Sequence, residues 1–332
     1  MIATREIRIG ARGVRSLVWH ADELIDWAGG GTRFLLSGET VKNFASYPYS
    51  FDAAVMSPSG EFTVLYTRLG TKGLVLQHGR VLREINRSFY HAAAYQYPVA
   101  IAGLKDGRET LIHCPEEYCR LEIDELRSGK RLTERSSRKP ADFFHSRLAV
   151  SPDGQALSSA GWIWHPMDDV RAFDIEAALR DPTHLDGHGF GIDAWAEESS
   201  AAFAPDGRLI VALNGVEDAA GNQNATATSV VDIRWFDLGA PRTPRVVHRS
   251  GRLGTIMPVG LHHLLALYEC PKLLDAATGE VLQAWPHIQS GNQTSGILVS
   301  KPTLPAVALD PMRGRCAIAD GDGITVLLFT SR

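Results

Sequence analysis

The sequence predicts an all-β protein in which short antiparallel hairpins repeat along the chain. A Pro-Ser-Gly or Pro-Asp-Gly turn lies in residues 56–62, 150–156 and 203–209, with looser copies at 104–108 and 309–315. A small or apolar strand precedes each copy and another strand follows it. Proline presets one backbone angle and glycine accepts positive φ, which is typical of a tight hairpin. The spacing of about 40 to 55 residues matches the blades of a β-propeller.

Seven first hairpins can be placed, so the sequence predicts a single closed propeller of seven four-stranded blades over residues 1–332. The turns of blades two to five and seven are explicit. Blades one and six are assigned from alternation and spacing, which leaves six or eight blades as alternatives. The blades are predicted at residues 14–50, 51–90, 91–135, 142–190, 196–250, 252–290, and 304–330 together with 4–10.

The two ends of the chain predict how the ring closes. The last blade supplies only three strands, and residues 5–9 form a spare strand at the N-terminus. We expect this N-terminal strand to complete blade seven as its outer strand, because closure hides the strand edges that an open sheet would expose.

Two segments interrupt the regular pattern. Residues 177–185 in blade four are compatible with one helical turn before a proline break. Residues 214–229 form a long polar insertion in blade five, which is either a mobile surface loop or a functional one.

The outer strands share a further pattern, in which an apolar third strand ends in Asp and a turn leads to the fourth strand. Residues 275–281, Asp-Ala-Ala-Thr-Gly-Glu-Val, show it together with the Pro-Asp-Gly turns. Over nearly the whole chain these segments resemble blades of WD-repeat and quinoprotein-type propellers. The Trp-Asp dipeptide and Gly-His pair of a strict WD repeat are missing, so the resemblance is to a divergent WD-like propeller, similar to bacterial propellers with no assigned activity. It is specific for fold and not for function.

Composition narrows the function classes. The chain is 44% hydrophobic and 22% charged, with a formal net charge of −4. That balance argues against general binding to nucleic acids or membrane surfaces, which usually requires a basic excess. No run approaches the roughly 18 apolar residues of a membrane span. Residues 1–9 alternate charged and apolar side chains without a signal core, so we expect a cytoplasmic protein.

The four cysteines predict reduced thiols. Cys114, Cys119, Cys270 and Cys316 form no Cys-x-x-Cys pair, and most lie in or after apolar strands. His113 and Cys114 come nearest to a metal cluster, but neighbours on a strand point to opposite faces. We therefore expect no metal and no cofactor.

Loops between second and third strands, and between blades, meet on one face of a propeller. Aromatic side chains with polar tips suit a binding face there, although the same residues also fill the cores between blades. The candidates for this face are Tyr49, Asp52, Tyr90, His91, Glu116, Glu117, His145, Trp162, Trp164, His165 and Trp195.

The basic segment at residues 83–87 could bind a ligand or form ion pairs between blades. Arg83, Ile85 and Arg87 share one face of a strand. An arginine there could bind a carboxylate or phosphate of a ligand, but ion pairing across blades to Glu116 or Glu117 is the simpler expectation.

Three functions from different classes fit the chain. The resemblance to WD-like propellers implies a non-catalytic module that binds a protein or peptide on one face, and this is the function we predict. A hydrolase or lyase at the mouth of the central channel, with or without a metal, is the alternative. Its candidates are Asp52, Glu116, Glu117, Asp142, His145 and Glu198. A quinone-dependent dehydrogenase is the third, disfavoured because such enzymes are usually larger and exported.

Overall fold

A computed structural model describes residues 2–135, 137–164, 167–214, 230–293 and 304–331. These residues form 27 strands in seven antiparallel sheets, each sheet being one blade. The prediction of a seven-bladed propeller is thereby confirmed.

The first strand, β1 (Ile2–Gly10), belongs to the last blade. Blade one contains β2 (Val18–His20), β3 (Glu23–Asp26), β4 (Thr32–Leu35) and β5 (Thr40–Val41). Blade two contains β6 (Ala53–Met56), β7 (Phe62–Tyr66), β8 (Lys72–Gln77) and β9 (Arg80–Asn86). Blade three contains β10 (Val99–Gly103), β11 (Glu109–His113) and β12 (Glu122–Glu125).

The remaining four blades follow in chain order. Blade four contains β13 (Leu148–Val150), β14 (Ala156–Trp164), β15 (Met167–Asp174) and β16 (Trp195–Ala196), and blade five contains β17 (Glu198–Phe203), β18 (Leu209–Asn214), β19 (Val230–Phe236) and β20 (Arg245–Ser250). Blade six contains β21 (Ile256–Val259), β22 (His263–Ala266), β23 (Lys272–Asp275) and β24 (Val281–Ala284). Blade seven contains β25 (Val307–Asp310), β26 (Arg315–Ala319) and β27 (Gly323–Ser331), together with β1.

The N-terminal strand closes the ring as predicted. Strand β1 pairs antiparallel with β27 along its whole length, from Ile2 opposite Ser331 to Gly10 opposite Gly323. Blade seven therefore joins the two ends of the described chain, which leaves no unpaired edge on β27.

Blade three departs from the regular pattern at its outer edge. Its sheet has three strands, and the place of the fourth is taken by residues 130–133. One bridge joins Asp124 to Arg131, and the side chain of Thr133 accepts a hydrogen bond from the Ile123 amide at 2.9 Å. A side chain thus supplies the acceptor that a regular fourth strand would supply from its backbone.

Blade four contains the helices. Helix α1 (Ile175–Arg180) follows β15, and a 3-10 helix covers Pro182–Leu185, where the sequence predicts a helical turn before a proline. The Asp174 carboxylate caps α1 by accepting a hydrogen bond from the Ala177 amide at 2.8 Å. No helix in the described part of the chain has the length and apolar character needed to cross a membrane.

The hydrophobic core is divided among the junctions between blades. The described residues form seven apolar clusters, one between each pair of neighbouring blades. Strand β18 shows how alternation builds them: Ile210 and Ala212 pack towards blade six, whereas Leu209, Val211 and Leu213 pack towards blade four. Because successive side chains of a strand point to opposite faces, every inner strand serves two cores.

Antiparallel strands give the propeller two different faces. The loops from second to third strands and from blade to blade emerge on one side, here called the junction face. The turns from first to second and from third to fourth strands emerge on the other, here called the turn face. First strands of neighbouring blades contact one another, as β10 contacts β13 and β17 contacts β21, and β25 of blade seven contacts β2 of blade one.

Candidate binding face

Exposed aromatic side chains are confined to one face of the molecule. Among the described residues, the large aromatic side chains that are exposed all lie on the junction face: Phe44, Tyr49, Phe89, Tyr90, Trp164 and Trp195. The turn face exposes the aliphatic side chains of Leu261 and Met312 instead. This asymmetry marks the junction face as the place to look for a site.

Five rings from blades two to four meet at one place on this face, and we call them the aromatic cluster: Tyr90, His91, Tyr118, Phe144 and Trp162. Tyr118 stacks on Phe144 with centroids 4.0 Å apart and 17° between the ring planes. Tyr90 lies 5.1 Å from Tyr118, and Trp162 lies 4.5 Å from Phe144. The fold therefore joins three residues predicted from the sequence with two others.

One ring of the aromatic cluster, His91, stands nearly perpendicular to its neighbours. His91 is edge-on to Tyr90 at 4.5 Å and 78°, and to Phe144 at 5.9 Å and 76°. Its backbone φ of 50° lies in the left-handed region, which turns the chain at the surface. The cluster thus offers both ring faces and ring edges to a ligand.

The aromatic cluster does not belong to the cores between blades. None of its five residues is part of the seven inter-blade clusters formed by the described residues. Phe144 is buried beneath the other rings, but Tyr90 keeps 53% of its surface exposed. Packing between blades therefore does not explain the position of Tyr90.

A buried arginine holds the loop that carries Tyr90. The Arg87 guanidinium donates to the carbonyl oxygens of Gly70 at 2.7 Å, Ala92 at 2.7 Å and Tyr95 at 3.0 Å. It also lies 4.5 Å above the ring of Tyr95 and 4.9 Å above that of Tyr97. Burial lowers the pKa of Arg87. The arginine ties the loop between blades two and three to the neighbouring loop of blade two.

The same loop is ordered by its own backbone. The Tyr90 amide donates to the Ser88 hydroxyl at 3.1 Å, and the Ala92 amide donates to the Phe89 carbonyl at 3.1 Å. Phe89 itself is 85% exposed. Because the backbone of the loop is already ordered, binding to this apolar ring requires little further ordering of the backbone.

Tyr118 links the aromatic cluster to a carboxylate. Its hydroxyl donates to Asp142 Oδ1 at 2.8 Å. Burial and this hydrogen bond raise the pKa of Tyr118, so the phenol keeps its proton and remains a donor.

Other predicted site residues lie away from the aromatic cluster. The Tyr49 hydroxyl contacts Glu84 at 3.3 Å at the junction of blades one and two. Asp52 accepts a hydrogen bond from the Arg68 amide at 2.8 Å, and Glu116 pairs with Arg131 at 2.8 Å. Trp164 and Trp195 are exposed on blade four. His165 lies outside the described residues, as do residues 215–229 of the polar insertion.

His145 lies inside the protein rather than on the face. It is 1% exposed, and its Nδ1 atom is 3.1 Å from the Ser159 hydroxyl. Burial, followed by the charges of Arg171 and Arg138, lowers the pKa of His145 to about 3. It is therefore neutral at ordinary pH and follows Phe144 directly in the chain, so it supports the face from below.

The interpretation of Arg83 as the partner of Glu116 or Glu117 is wrong. Arg83 donates to the carbonyl oxygens of Leu126 at 2.5 Å and Glu125 at 3.3 Å. Those carbonyls lie where β12 ends, on the turn side, whereas both acids belong to a loop of the junction face. The side chain bridges the blades as expected, but towards backbone oxygens.

Sequence reasoning missed Phe89, Phe144 and the role of Arg87. Phe89 lies in the run Ser88-Phe-Tyr-His, and Phe144 lies just before the first strand of blade four. Their position at blade junctions was the available signal. Which ring is exposed and which is buried depends on how neighbouring blades pack, and that information is not local.

Within the described ranges, no group of three His, Cys, Asp or Glu side chains could hold a metal ion. His113, the nearest to a metal pattern in the sequence, pairs with Asp124 at 3.0 Å instead. The four cysteines are free thiols, of which Cys114, Cys119 and Cys316 are buried.

Comparisons with solved structures agree on the fold. The chain is similar to the β-propeller domain of Cps50 (Swd1) from Myceliophteria thermophila, with a TM-score of 0.59 at 9% identity over 98% of this chain and 100% of that one. It is also similar to a chain of hydrazine synthase from Kuenenia stuttgartiensis, with a TM-score of 0.61 at 16% identity over 95% of both chains. At these identities the likeness shows the propeller fold alone. No family model and no curated protein sequence matches the chain.

Proposed function

We propose that the protein is a non-catalytic interaction module that binds a protein or peptide partner on its junction face. The observation that carries this proposal is that, among the described residues, the exposed large aromatic rings all lie on that face, together with the aromatic cluster. Aromatic residues are enriched at protein interfaces and dominate their binding energy. The resemblance to WD-like propellers, which commonly act as scaffolds, supports the same conclusion.

The order of the loop that carries Phe89 and Tyr90 also supports a role in binding. Ordering a flexible loop on binding costs roughly 0.5–1.5 kcal/mol for each immobilised side chain. Here Arg87 and the backbone hydrogen bonds of residues 88–95 order the loop in advance. A partner would therefore meet Phe89 and Tyr90 on a backbone that is already ordered.

The test is site-specific photo-crosslinking. A benzophenone amino acid replaces Phe89 on the junction face in one sample and Met312 on the turn face in another. Both proteins are irradiated in extract of the native organism, and adducts are identified by mass spectrometry. We expect a specific adduct from position 89 and none from position 312.

Two variants sharpen this experiment. Tyr90→Ala should abolish the adduct while leaving the protein folded, because the Tyr90 side chain is half exposed and its ring contacts contribute only about 1 kcal/mol. Leu261→Ala is the control, because it truncates an exposed apolar side chain on the turn face, and it should retain the adduct. Adducts of equal yield from both faces, or an adduct that survives Tyr90→Ala, would contradict the proposal and return attention to the channel mouth.

A further inference from the structure

Two carboxylates stand beside the aromatic cluster without a cation. Glu117 and Asp142 are exposed, one next to Tyr118 in the chain and the other bonded to its hydroxyl. Neither forms an ion pair with any described residue, whereas the adjacent Glu116 pairs with Arg131 at 2.8 Å. The margin of the cluster therefore carries negative charge that the described chain does not neutralise.

Some other exposed carboxylates are paired, as Glu84 is with Lys72 at 2.5 Å and Asp106 with Arg108 at 2.6 Å. Others, such as Glu39 and Asp237, form no ion pair with a described residue. Glu117 and Asp142 differ from these acids in position, because they lie beside an ordered aromatic surface, where unneutralised negative charge favours a cationic ligand.

From this juxtaposition we infer that the partner places a lysine or arginine side chain against the aromatic cluster, between Glu117 and Asp142. The inference rests on the proposed function and specifies its partner as a cationic peptide segment. A cation is attracted to the face of an aromatic ring as well as to a carboxylate, so both features of the site favour the same ligand. Arginine suits it particularly, because its planar guanidinium stacks on a ring while its edge donates hydrogen bonds.

Nearby cations do not compete for this role. Arg131 is occupied by Glu116 and by Asp124 at 3.3 Å. Arg87 lies buried behind the cluster and donates to backbone carbonyls. An acidic segment would meet repulsion from Glu117 and Asp142, and a neutral one would leave both acids without a cation.

The test uses three fluorescein-labelled peptides that differ only in carrying arginine, glutamine or glutamate at the same positions. Binding to the wild-type protein is followed by fluorescence anisotropy at low and high salt. We expect the arginine peptide to bind about tenfold more tightly than the glutamine peptide, and the preference to weaken as salt rises.

A double variant tests the two acids. Glu117→Gln/Asp142→Asn removes both charges, but the amide oxygen of the new side chain at position 142 can still accept a hydrogen bond from the Tyr118 hydroxyl. We expect it to lose about tenfold in affinity for the arginine peptide, since two partly exposed pairs contribute together. Asp237→Asn is the matched control, because Asp237 is an exposed carboxylate on the turn face of blade five and should leave the affinity unchanged.

Three results would overturn the inference: no binding of the arginine peptide, equal binding of the arginine and glutamine peptides, or an equal loss in Asp237→Asn. The crosslink from position 89 tests the proposed function independently of the charge of the partner, so the two can fail separately. A Tyr90-dependent adduct without any preference for arginine would reject only the charge of the partner. Loss of both results would reject the face itself.

Discussion

The two faces of this propeller are built from the same strands but differ in chemistry. On the turn face, charged side chains pair within short turns, as Arg108 does with Asp106 at 2.6 Å and Arg208 with Asp206 at 2.7 Å. On the junction face, longer loops present aromatic rings and are held by hydrogen bonds to backbone carbonyls. The repeated turns therefore determine the turn face, while the longer loops of the junction face are free to carry function.

The turn of blade four shows why the turn face is so regular. The Ser151 hydroxyl donates to Asp153 at 2.6 Å and accepts a hydrogen bond from the Ala156 amide at 2.8 Å. Gly154 adopts a φ of 73°, which a residue with a side chain rarely adopts. The Ser151 hydroxyl, the Asp153 carboxylate and the Gly154 amide all find their partners within residues 151–156, so these bonds do not depend on other blades.

The largest expected effect comes from removing the anchor of the junction face. Arg87→Ala would leave several buried carbonyl groups without a donor, and we expect it to lower the free energy of unfolding by about 3 kcal/mol. It should also release the loop of residues 88–95. Urea denaturation measures the first effect, and hydrogen exchange of the loop amides measures the second.

Two variants serve as controls for that prediction. Arg87→Lys keeps the charge but not the planar fork, so it should recover only part of the lost stability. Arg83→Ala removes an arginine that donates to the Leu126 and Glu125 carbonyls, away from the aromatic loop. If exchange in residues 88–95 rises as much in Arg83→Ala as in Arg87→Ala, the anchoring role of Arg87 is wrong.

A smaller effect should come from acid, acting beneath the junction face. The pKa of His145 is about 3 in the folded protein and near 6.5 when the chain is unfolded. Between those pH values only the unfolded chain binds this proton. The contribution of neutral His145 to the free energy of unfolding is therefore present in full above pH 6.5 and is lost as pH falls towards 3. The slope is at most about 1.4 kcal/mol per pH unit.

His145→Asn isolates this contribution. The asparagine amide can contact the Ser159 hydroxyl as the imidazole does, but it does not titrate. We expect the unfolding free energy of the variant to fall less steeply than that of the wild type between pH 6.5 and pH 4, as measured by urea denaturation at each pH. Parallel curves for the two proteins would show that His145 takes up its proton without unfolding.

The contrast between the faces also explains what the sequence could predict. The turns repeat because their polar groups are satisfied locally, so the Pro-Asp-Gly phrase alone locates the blades. The spare strand in residues 5–9 predicts closure because an unpaired strand and an incomplete blade must meet. The binding residues are harder to predict from the sequence, because the exposure of Tyr90 and the burial of His145 depend on how three blades pack together. Tyr90, His91 and Trp162 were predicted as site candidates from loop position, while the packing of Phe144 beneath them required the fold.

The smallest effect is expected on the turn face, and it is the sharpest check of the comparison. Lys105 and Glu176 form an ion pair at 2.7 Å that remains 64% and 50% exposed. The pair lines a cavity of about 210 Å³ with Leu104 and Ile175. Exposed pairs contribute little because water screens them, so Lys105→Ala/Glu176→Ala should leave both the urea midpoint and the crosslink from position 89 unchanged. A loss of the crosslink in this folded variant would show that the turn face also takes part in binding, and the division of roles between the faces would no longer hold.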